Sequence, residues 1–153
     1  MRKLFLTFFY TGLSPWAPGT AGSIAAGLVG FLLLQYIPID TLLLLTILIT
    51  VVGIKQINIY EKQTGTHDDK SIVIDEVVGL WLAFSFVDVT NIYQLILCFI
   101  YFRIFDIWKP SFIGRIDRDV KGGLGVMGDD LLAGLIAGIC STATWQAIEY
   151  YLI

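Results

Sequence analysis

The sequence predicts an all-α protein, a multi-spanning membrane bundle of about five helices in a single domain over residues 1–153. Hydrophobic residues make up 56% of the chain, charged residues 15%, and the mean hydropathy is +0.77. Soluble domains are typically about 45–50% apolar and about 25% charged. No charged residue lies between Lys3 and Asp40, and most charges fall in two segments, 61–76 and 103–130. These three observations favour a membrane protein whose polar segments gather at one surface.

Five apolar segments predict the helices, because a spanning helix needs about 20 mostly apolar residues and roughly 17 suffice. They cover residues 22–37, 42–60, 72–87, 91–109 and 131–148, and form two hairpins and a last helix. We place the turn at Asp88 on the membrane surface, because a charged Asp at the bilayer centre costs about 2.5–3.5 kcal/mol. Two alternatives remain: four helices with 72–105 as one kinked span, or a soluble bundle around an apolar central helix.

The two-hairpin arrangement also sorts the charges. It brings all ten Lys and Arg residues to or near one face and leaves Asp40, Asp88 and Glu149 at the other. The four-helix alternative would put Lys62 and Arg115 on opposite sides. Since basic residues concentrate on the cytoplasmic side of membrane proteins, the polar motifs are expected to share the cytoplasmic face, with the N-terminus inside.

Two classes of site find no support in the composition. The net charge is −3 and the basic residues form no dense stripe, so no nucleic-acid partner is expected. Cys98 and Cys140 lie in apolar stretches without a neighbouring Cys or His, which argues against a disulfide or a zinc site.

The first polar segment holds candidate ligands for a divalent cation. Asp75 and Glu76 open an apolar helix, where an unpaired carboxylate is costly. Asp68 shares their face if the helix extends back that far. Such acids suit Mg²⁺, which prefers oxygen ligands; the alternative is a favourable interaction with the helix dipole. His67, the only histidine, lies in a polar loop and is either solvated or functional.

The second polar segment adds cations to the acids. Arg103, Asp106 and Lys109 follow a three-residue step on one face of the helix that Pro110 ends. They can form a structural salt bridge, or offer a carboxylate to a metal and two cations to a phosphate.

Two further acids, Asp129 and Asp130, precede the last helix, and we expect one of them to be its N-cap. Together with Asp75 and Asp106 they make four carboxylates near membrane entry points. Such a group would repel strongly without cations among them.

Two glycine-containing segments are candidate phosphate-binding sites. Gly19, Thr20 and Ser23 lie at the start of the first long helix, and helix N-termini with small residues bind phosphate oxygens. Gly122 and Gly123 belong to a glycine-rich segment whose backbone amides can surround an anion. Both segments are equally consistent with caps and turns.

Taken together, the motifs resemble the phosphatidylglycerophosphatase A family, in order from Gly12 to Gly134. The matching segments are Gly12-Leu13-Ser14-Pro15, Ala17-Pro18-Gly19-Thr20, His67-Asp68, Ser71-Ile72-Val73-Ile74-Asp75-Glu76, Phe102-Arg103-Ile104-Phe105-Asp106-Ile107-Trp108-Lys109-Pro110, Gly122-Gly123-Leu124-Gly125-Val126-Met127 and Asp129-Asp130. The resemblance implies an Mg²⁺-dependent enzyme of the bacterial inner membrane that hydrolyses phosphatidylglycerophosphate to phosphatidylglycerol and phosphate. Related soluble members form a helical bundle around a central helix.

From this follow the expected roles. The expected Mg²⁺ ligands are Asp68, Asp75, Glu76, Asp106, Asp129 and Asp130. Arg103 and Lys109 would bind the substrate phosphate, and Asp75 and His67 would complete the catalytic set, with proton relay and positioning both open for His67. A CDP-alcohol phosphatidyltransferase is disfavoured because its Asp-Gly-x-x-Ala-Arg pattern is missing, and a channel subunit because the acids are confined to one face. Water or covalent attack, and the oligomeric state, stay open.

Overall fold

The computed structural model describes residues 1–66 and 69–152, without the side chains of Ser111, Phe112, Asp117 and Leu152. Throughout these residues the regular secondary structure is helical, which confirms the all-α prediction. The α-helices are α1 (Arg2–Leu6), α2 (Pro18–Leu34), α3 (Ile39–Thr64), α4 (Ile74–Phe84), α5 (Ile92–Trp108), α6 (Ser111–Asp119) and α7 (Gly123–Leu152). A 3-10 turn, Thr11–Leu13, lies between α1 and α2. The five predicted segments correspond to α2, α3, α4, α5 and α7.

The start of α7 differs from the prediction. The helix begins at Gly123, so Asp129 and Asp130 lie inside it, and the expectation that one of them caps it is wrong. Gly122 makes the turn into the helix with φ +76°, and the Gly123 N–H donates to Asn58 Oδ1 of α3 at 2.7 Å. The first N–H group of α7 is therefore satisfied by a side chain of a neighbouring helix, and not by the aspartate N-cap that the sequence predicted.

The helix α4 occupies the centre of the molecule. Nine of its eleven residues are buried, because α2, α3, α5 and α7 all pack around it. Its length is about 16 Å at 1.5 Å per residue, well below the roughly 30 Å of a bilayer core. The predicted segment 72–87 thus forms a short enclosed helix instead of a lipid-facing one.

The close approach of α4 and α7 depends on two glycines. A Cβ at Gly79 would lie 2.5 Å from the backbone oxygen of Asp130, and one at Gly134 would lie 2.0 Å from that of Gly79. The two backbones are therefore in direct contact, which any larger residue would prevent. This crossing sets the first turn of α4 beside the second turn of α7.

The N-terminal segment is held against the other helices. Arg2 of α1 donates to Gln56 Oε1 of α3 at 3.0 Å, and the Val73 N–H donates to the Leu6 carbonyl at 2.9 Å. Between α1 and the 3-10 turn, three consecutive residues, Phe8, Phe9 and Tyr10, have positive φ angles of 41°, 56° and 68°. This left-handed turn reverses the chain toward α2.

The outer faces of the bundle are apolar. Large exposed side chains include Leu28 and Leu32 on α2, Leu48 on α3 and Ile100 on α5. By length and composition, α3 and α7 can each cross a membrane, with mean hydropathies of 2.1 and 1.5 in their most apolar windows. Core helices of soluble proteins can pass that test, but only 22% of the α3 window is buried. Its outward apolar surface points to membrane association.

Candidate active site

A polar cavity of about 670 Å³ lies where α2 and α4 begin, α5 ends and α7 makes its first turns. Its polar lining consists of Lys70, Asp75, Glu76, Arg103, Asp106, Lys109, Asp129 and Asp130. Pro18, Gly19, Ile72, Ile107 and Val126 complete the wall. Two polar segments far apart in the sequence thus meet in one place, as the predicted topology requires.

Arg103 links three helices at one side of the cavity. Its guanidinium donates to Ser23 Oγ at 3.0 Å and to Thr20 Oγ1 at 3.3 Å, both on α2. It also pairs with Asp106 on its own helix and lies 3.6 Å from Glu76 Oε2 of α4. The Ser23 hydroxyl in turn donates to Glu76. The group is a hydrogen-bonded network in which Ser23 and Glu76 are buried, whereas Thr20 is exposed.

Lys109 supplies a second positive charge at the end of α5. Its backbone adopts a left-handed conformation, φ 43°, and Pro110 follows, so the helix stops there. A non-glycine residue in this region carries strain that the surrounding structure must hold. The Lys109 ammonium donates to Asp129 Oδ2 of α7 at 2.7 Å. The strained end of α5 thus directs the cation toward the acids of α7.

The acids of the cavity are close enough for their charges to interact. The charge of Asp75 acts on Asp130, and both feel the charges of Asp106 and Asp129. Asp129 and Asp130 are only 4% and 3% exposed. Such crowding of buried carboxylates is unfavourable unless positive charge accompanies it.

The lining fits one hard divalent cation. It contains five carboxylates and three cationic side chains, an excess of two negative charges. Within the described part of the chain, no three of these acids form a ready-made coordination group. Asp106 and Asp129 are turned instead toward Arg103 and Lys109. Mg²⁺ is commonly held by one or two carboxylates with water and substrate phosphate, so the donor set and its charge suit this ion.

The predicted phosphate-binding residues fall into three groups. Gly19 lines the cavity, and a Cβ there would lie 2.4 Å from Glu76 Oε1, so a larger residue at this position would displace the Glu76 carboxylate. Thr20 and Ser23 hold Arg103 instead of lining the cavity. Gly122 and Gly123 pack against α3 and likewise do not line it; a Cβ on Gly123 would lie 2.3 Å from the Ile54 carbonyl oxygen. Direct substrate contact by these last four residues stays a prediction.

Four further residues of the first polar segment, 67–70, differ in what the structure shows of them. His67 and Asp68 lie outside the described residues, and their roles stay predictions. Asp69 accepts hydrogen bonds from the Ser71 N–H at 2.9 Å and the Tyr60 hydroxyl at 2.7 Å, and both lower its pKa. It is a loop-ordering residue. Lys70 lines the cavity although sequence reasoning gave it no role; the signal was its place in the same polar segment as Asp75.

The chain is all-helical, and its acids and cations surround one cavity at the end of apolar helices. This arrangement is typical of an enzyme that acts on a phosphate group near a membrane. The comparisons with known proteins define it further. The family model for phosphatidylglycerophosphatase A matches residues 4–145, and the chain belongs to this family. It is therefore a phosphatase, a phosphoric monoester hydrolase.

Relatives from three bacteria support the assignment. The chain is 41% identical over 133 residues to phosphatidylglycerophosphatase A of Escherichia coli strain K12, covering 86% of this chain and 76% of the relative. It is 34% identical over 145 residues to the Haemophilus influenzae protein of the same name, covering 95% and 86%. A putative phosphatidylinositol-3-phosphatase of Bacteroides thetaiotaomicron is 38% identical over 146 residues, 91% of each chain. No solved structure matches.

Proposed function

We propose that this protein removes the terminal phosphate of phosphatidylglycerophosphate, giving phosphatidylglycerol and phosphate, in an Mg²⁺-dependent reaction of glycerophospholipid biosynthesis. The observation that carries the proposal is the cavity itself, with five carboxylates and three cationic side chains at the end of an apolar helix bundle. The names of two relatives, both phosphatidylglycerophosphatase A, support the substrate.

The residues of the proposed site have separate roles, and His67 and Asp68, which lie outside the described residues, are assigned theirs from the sequence. Asp75, Asp106, Asp129 and Asp130 hold the Mg²⁺, with Glu76 and Asp68 in support. When bound, the ion neutralises charge on the phosphate and activates it toward attack. Arg103 and Lys109 donate hydrogen bonds to the phosphate oxygens and stabilise the charge that develops on them. Asp75 and His67 complete the catalytic set, and Gly19 allows close approach at the cavity wall.

We also propose that the protein is a multi-pass protein of the bacterial inner membrane, with this site at the cytoplasmic surface. The boundary between apolar and charged sequence supports it. On α3 the first charged residue after Asp40 is Lys55. A Cβ at the nearby Gly53 would lie 2.7 Å from Met127 of α7 and 3.9 Å from Ile74 of α4. The polar cavity therefore begins at the level where α3 stops being apolar.

A second substrate is favoured by one observation, the Bacteroides relative, whose name refers to a phosphoinositide monoester. The test is phosphate release by the purified protein in mixed micelles of phosphatidylglycerophosphate or phosphatidylinositol 3-phosphate, each with Mg²⁺ and with chelator. We expect the first lipid to be the better substrate and the chelator to abolish turnover. Faster phosphate release from the phosphoinositide would show that the proposed substrate is wrong. Full activity in the presence of chelator would show that the reaction does not depend on Mg²⁺.

A further inference from the structure

The outer helices form a ring around α4 that is closed on three sides. α2 packs on α3, α3 on α7, and α7 on α5. α2 and α5, both wholly within the described part of the chain, each pack on α4, but their backbones rarely come close, and Arg103 joins them through its hydrogen bonds to Ser23 and Thr20. A groove between these two helices therefore runs along the bundle, with α4 as its floor.

The groove is apolar, and a second hollow lies between it and the polar cavity along α5. The groove has a volume of about 400 Å³ and is lined by apolar residues, with Phe84 of α4 at its floor. Phe99 of α5 borders both the groove and the second hollow, which measures about 440 Å³. This hollow shares Arg103 and Ile107 with the polar cavity. Successive lining residues of α5 thus mark a path from the groove to the phosphate-binding side chains.

From this path we infer that the groove between α2 and α5 binds an acyl chain of the lipid substrate. This inference rests on the proposed function and adds to it a subsite that recognises the hydrocarbon part. The groove-lining residues run along α5 from Ile92 to Ile107, a rise of about 22 Å. One leaflet accounts for about 15 Å of the bilayer core, so the groove is long enough for the chain of a lipid whose head group lies at Arg103.

The groove contributes orientation of the lipid chain, whereas the burial of the chain adds little free energy. Each methylene moved from water to an apolar site is stabilised by about 0.8 kcal/mol, but between bilayer and groove most of that difference vanishes. What the groove supplies is orientation, since a chain held beside Phe99 fixes the direction from which the head group enters the cavity. The subsite thus lowers KM for long chains and matters less for short ones.

Two substitutions narrow the groove without touching the polar cavity. Ile96 lines it and is 49% exposed, so Ile96→Trp places a large side chain in the path. Gly27 also lines it, and a Cβ there would be in ordinary contact with Leu80 and Phe99 at 3.5 and 3.7 Å, so the first atom of a leucine side chain fits, and thermal unfolding in detergent checks the fold of Gly27→Leu. The matched control is Ile47→Trp on α3, where the isoleucine is 54% exposed and lies outside the groove.

The experiment measures kcat and KM of the full-length protein and the three variants with dipalmitoyl and dihexanoyl phosphatidylglycerophosphate in mixed micelles. For Ile96→Trp and Gly27→Leu, KM for the dipalmitoyl lipid should rise about tenfold, because a displaced chain no longer orients the head group toward the cavity. The dihexanoyl lipid, whose chains end near the start of the groove, should keep its kcat/KM within about twofold. Ile47→Trp should behave as the wild type with both.

Three results would overturn the inference in different ways. If Ile96→Trp and Ile47→Trp have the same KM for the long-chain lipid, the chain stays in the surrounding lipid. If the groove variants lose activity equally on both lipids, the substitutions act on the polar cavity. If the wild-type protein releases phosphate from neither lipid, the proposed function itself is wrong, and the groove inference falls with it.

Discussion

Two of the three cations of the cavity, Arg103 and Lys109, are held in different ways. Arg103 is 14% exposed and bridges α2, α4 and α5, whereas Lys109 is 31% exposed and reaches across the cavity from a strained helix end. The network around Arg103 is part of the architecture, since its removal would break the hydrogen bonds and ion pairs that join three helices. Lys109 pairs with Asp129 of α7, and its larger exposure leaves its ammonium accessible to a substrate phosphate. The same two charges therefore should differ in how far their loss affects stability.

The largest expected effect is at the acids between the two cations. Asp75→Asn keeps the size of the side chain and removes its charge, so it should lower turnover more than about 100-fold at low Mg²⁺, beyond the loss usual for an outer-shell residue. Asp129→Asn should act similarly. Phosphate release across an Mg²⁺ titration measures the effect, with thermal unfolding in detergent as the folding control. Near-normal activity of both variants at low Mg²⁺ would show that the metal site is elsewhere.

Arg103→Ala should harm both activity and stability. It removes a hydrogen-bond donor to the substrate phosphate, which should lower turnover about 100-fold. It also leaves the carboxylates of Glu76 and Asp106 without their cation, which should lower the free energy of unfolding by about 3 kcal/mol. Arg103→Lys should recover part of the stability but less of the activity, because a lysine cannot reproduce the forked contacts. Chemical unfolding and phosphate release of the same preparations test this. If Arg103→Ala unfolds with the same free energy as the wild type, Arg103 does not stabilise the fold.

Lys109→Ala should separate the two roles. We expect a loss of about tenfold in turnover, with less than about 1 kcal/mol in stability, because a partly exposed ion pair contributes little to folding. The relevant measurement is the same pair of assays as for Arg103. A variant that keeps wild-type rates and only melts earlier would make Lys109 a structural salt-bridge partner instead.

The smallest effect is expected at the opposite end of the bundle. Asp88 accepts hydrogen bonds from the N–H and hydroxyl of Thr90, which lower its pKa. A lowered pKa stabilises the fold above the ordinary Asp value, and this small contribution is lost as the pH falls. Asp88→Ala should therefore keep turnover within about twofold and change stability slightly, less so in acid. Strong loss of activity would mean that the two ends are coupled.

The same position tests topology. A cysteine at position 88 should be labelled from outside intact cells and one at position 62 should not, because the basic residues predict a cytoplasmic site. Labelling of intact cells with a membrane-impermeant maleimide, compared with lysed cells, gives the answer. The reverse pattern would place the active site on the outer side.

The sequence predicted best what depends on spacing along one helix. The three-residue step of Arg103, Asp106 and Lys109 was enough to place them on one face, and the structure lines one cavity with all three. The partners of Arg103 on other helices, Thr20 and Ser23, were assigned to phosphate, because a hydroxyl at a helix start carries no sign of which neighbour it will meet.

Tertiary contacts account for the other differences. The start of α7 was misplaced because Asn58, far away in the sequence, accepts the hydrogen bond of the Gly123 N–H. The length of α4 was overestimated because a run of apolar residues is equally typical of a lipid-facing and of an enclosed helix. No pattern in the sequence singles out Gly79 from the other glycines, and only the crossing with α7 explains why no larger residue fits there.

The length of α3 gives the site a sheltered side and an accessible side. From Gly53, at the level of the cavity, α3 continues to Thr64, a further distance of about 16 Å, or three turns. Within the described part of the chain, it does not border the gap between α2 and α5. In the membrane placement proposed above, a molecule dissolved in water would meet α3 on one side of the site, while a lipid diffusing in the membrane plane would meet the gap between α2 and α5 on the other. Such an arrangement selects substrates by the route they travel as well as by their chemistry.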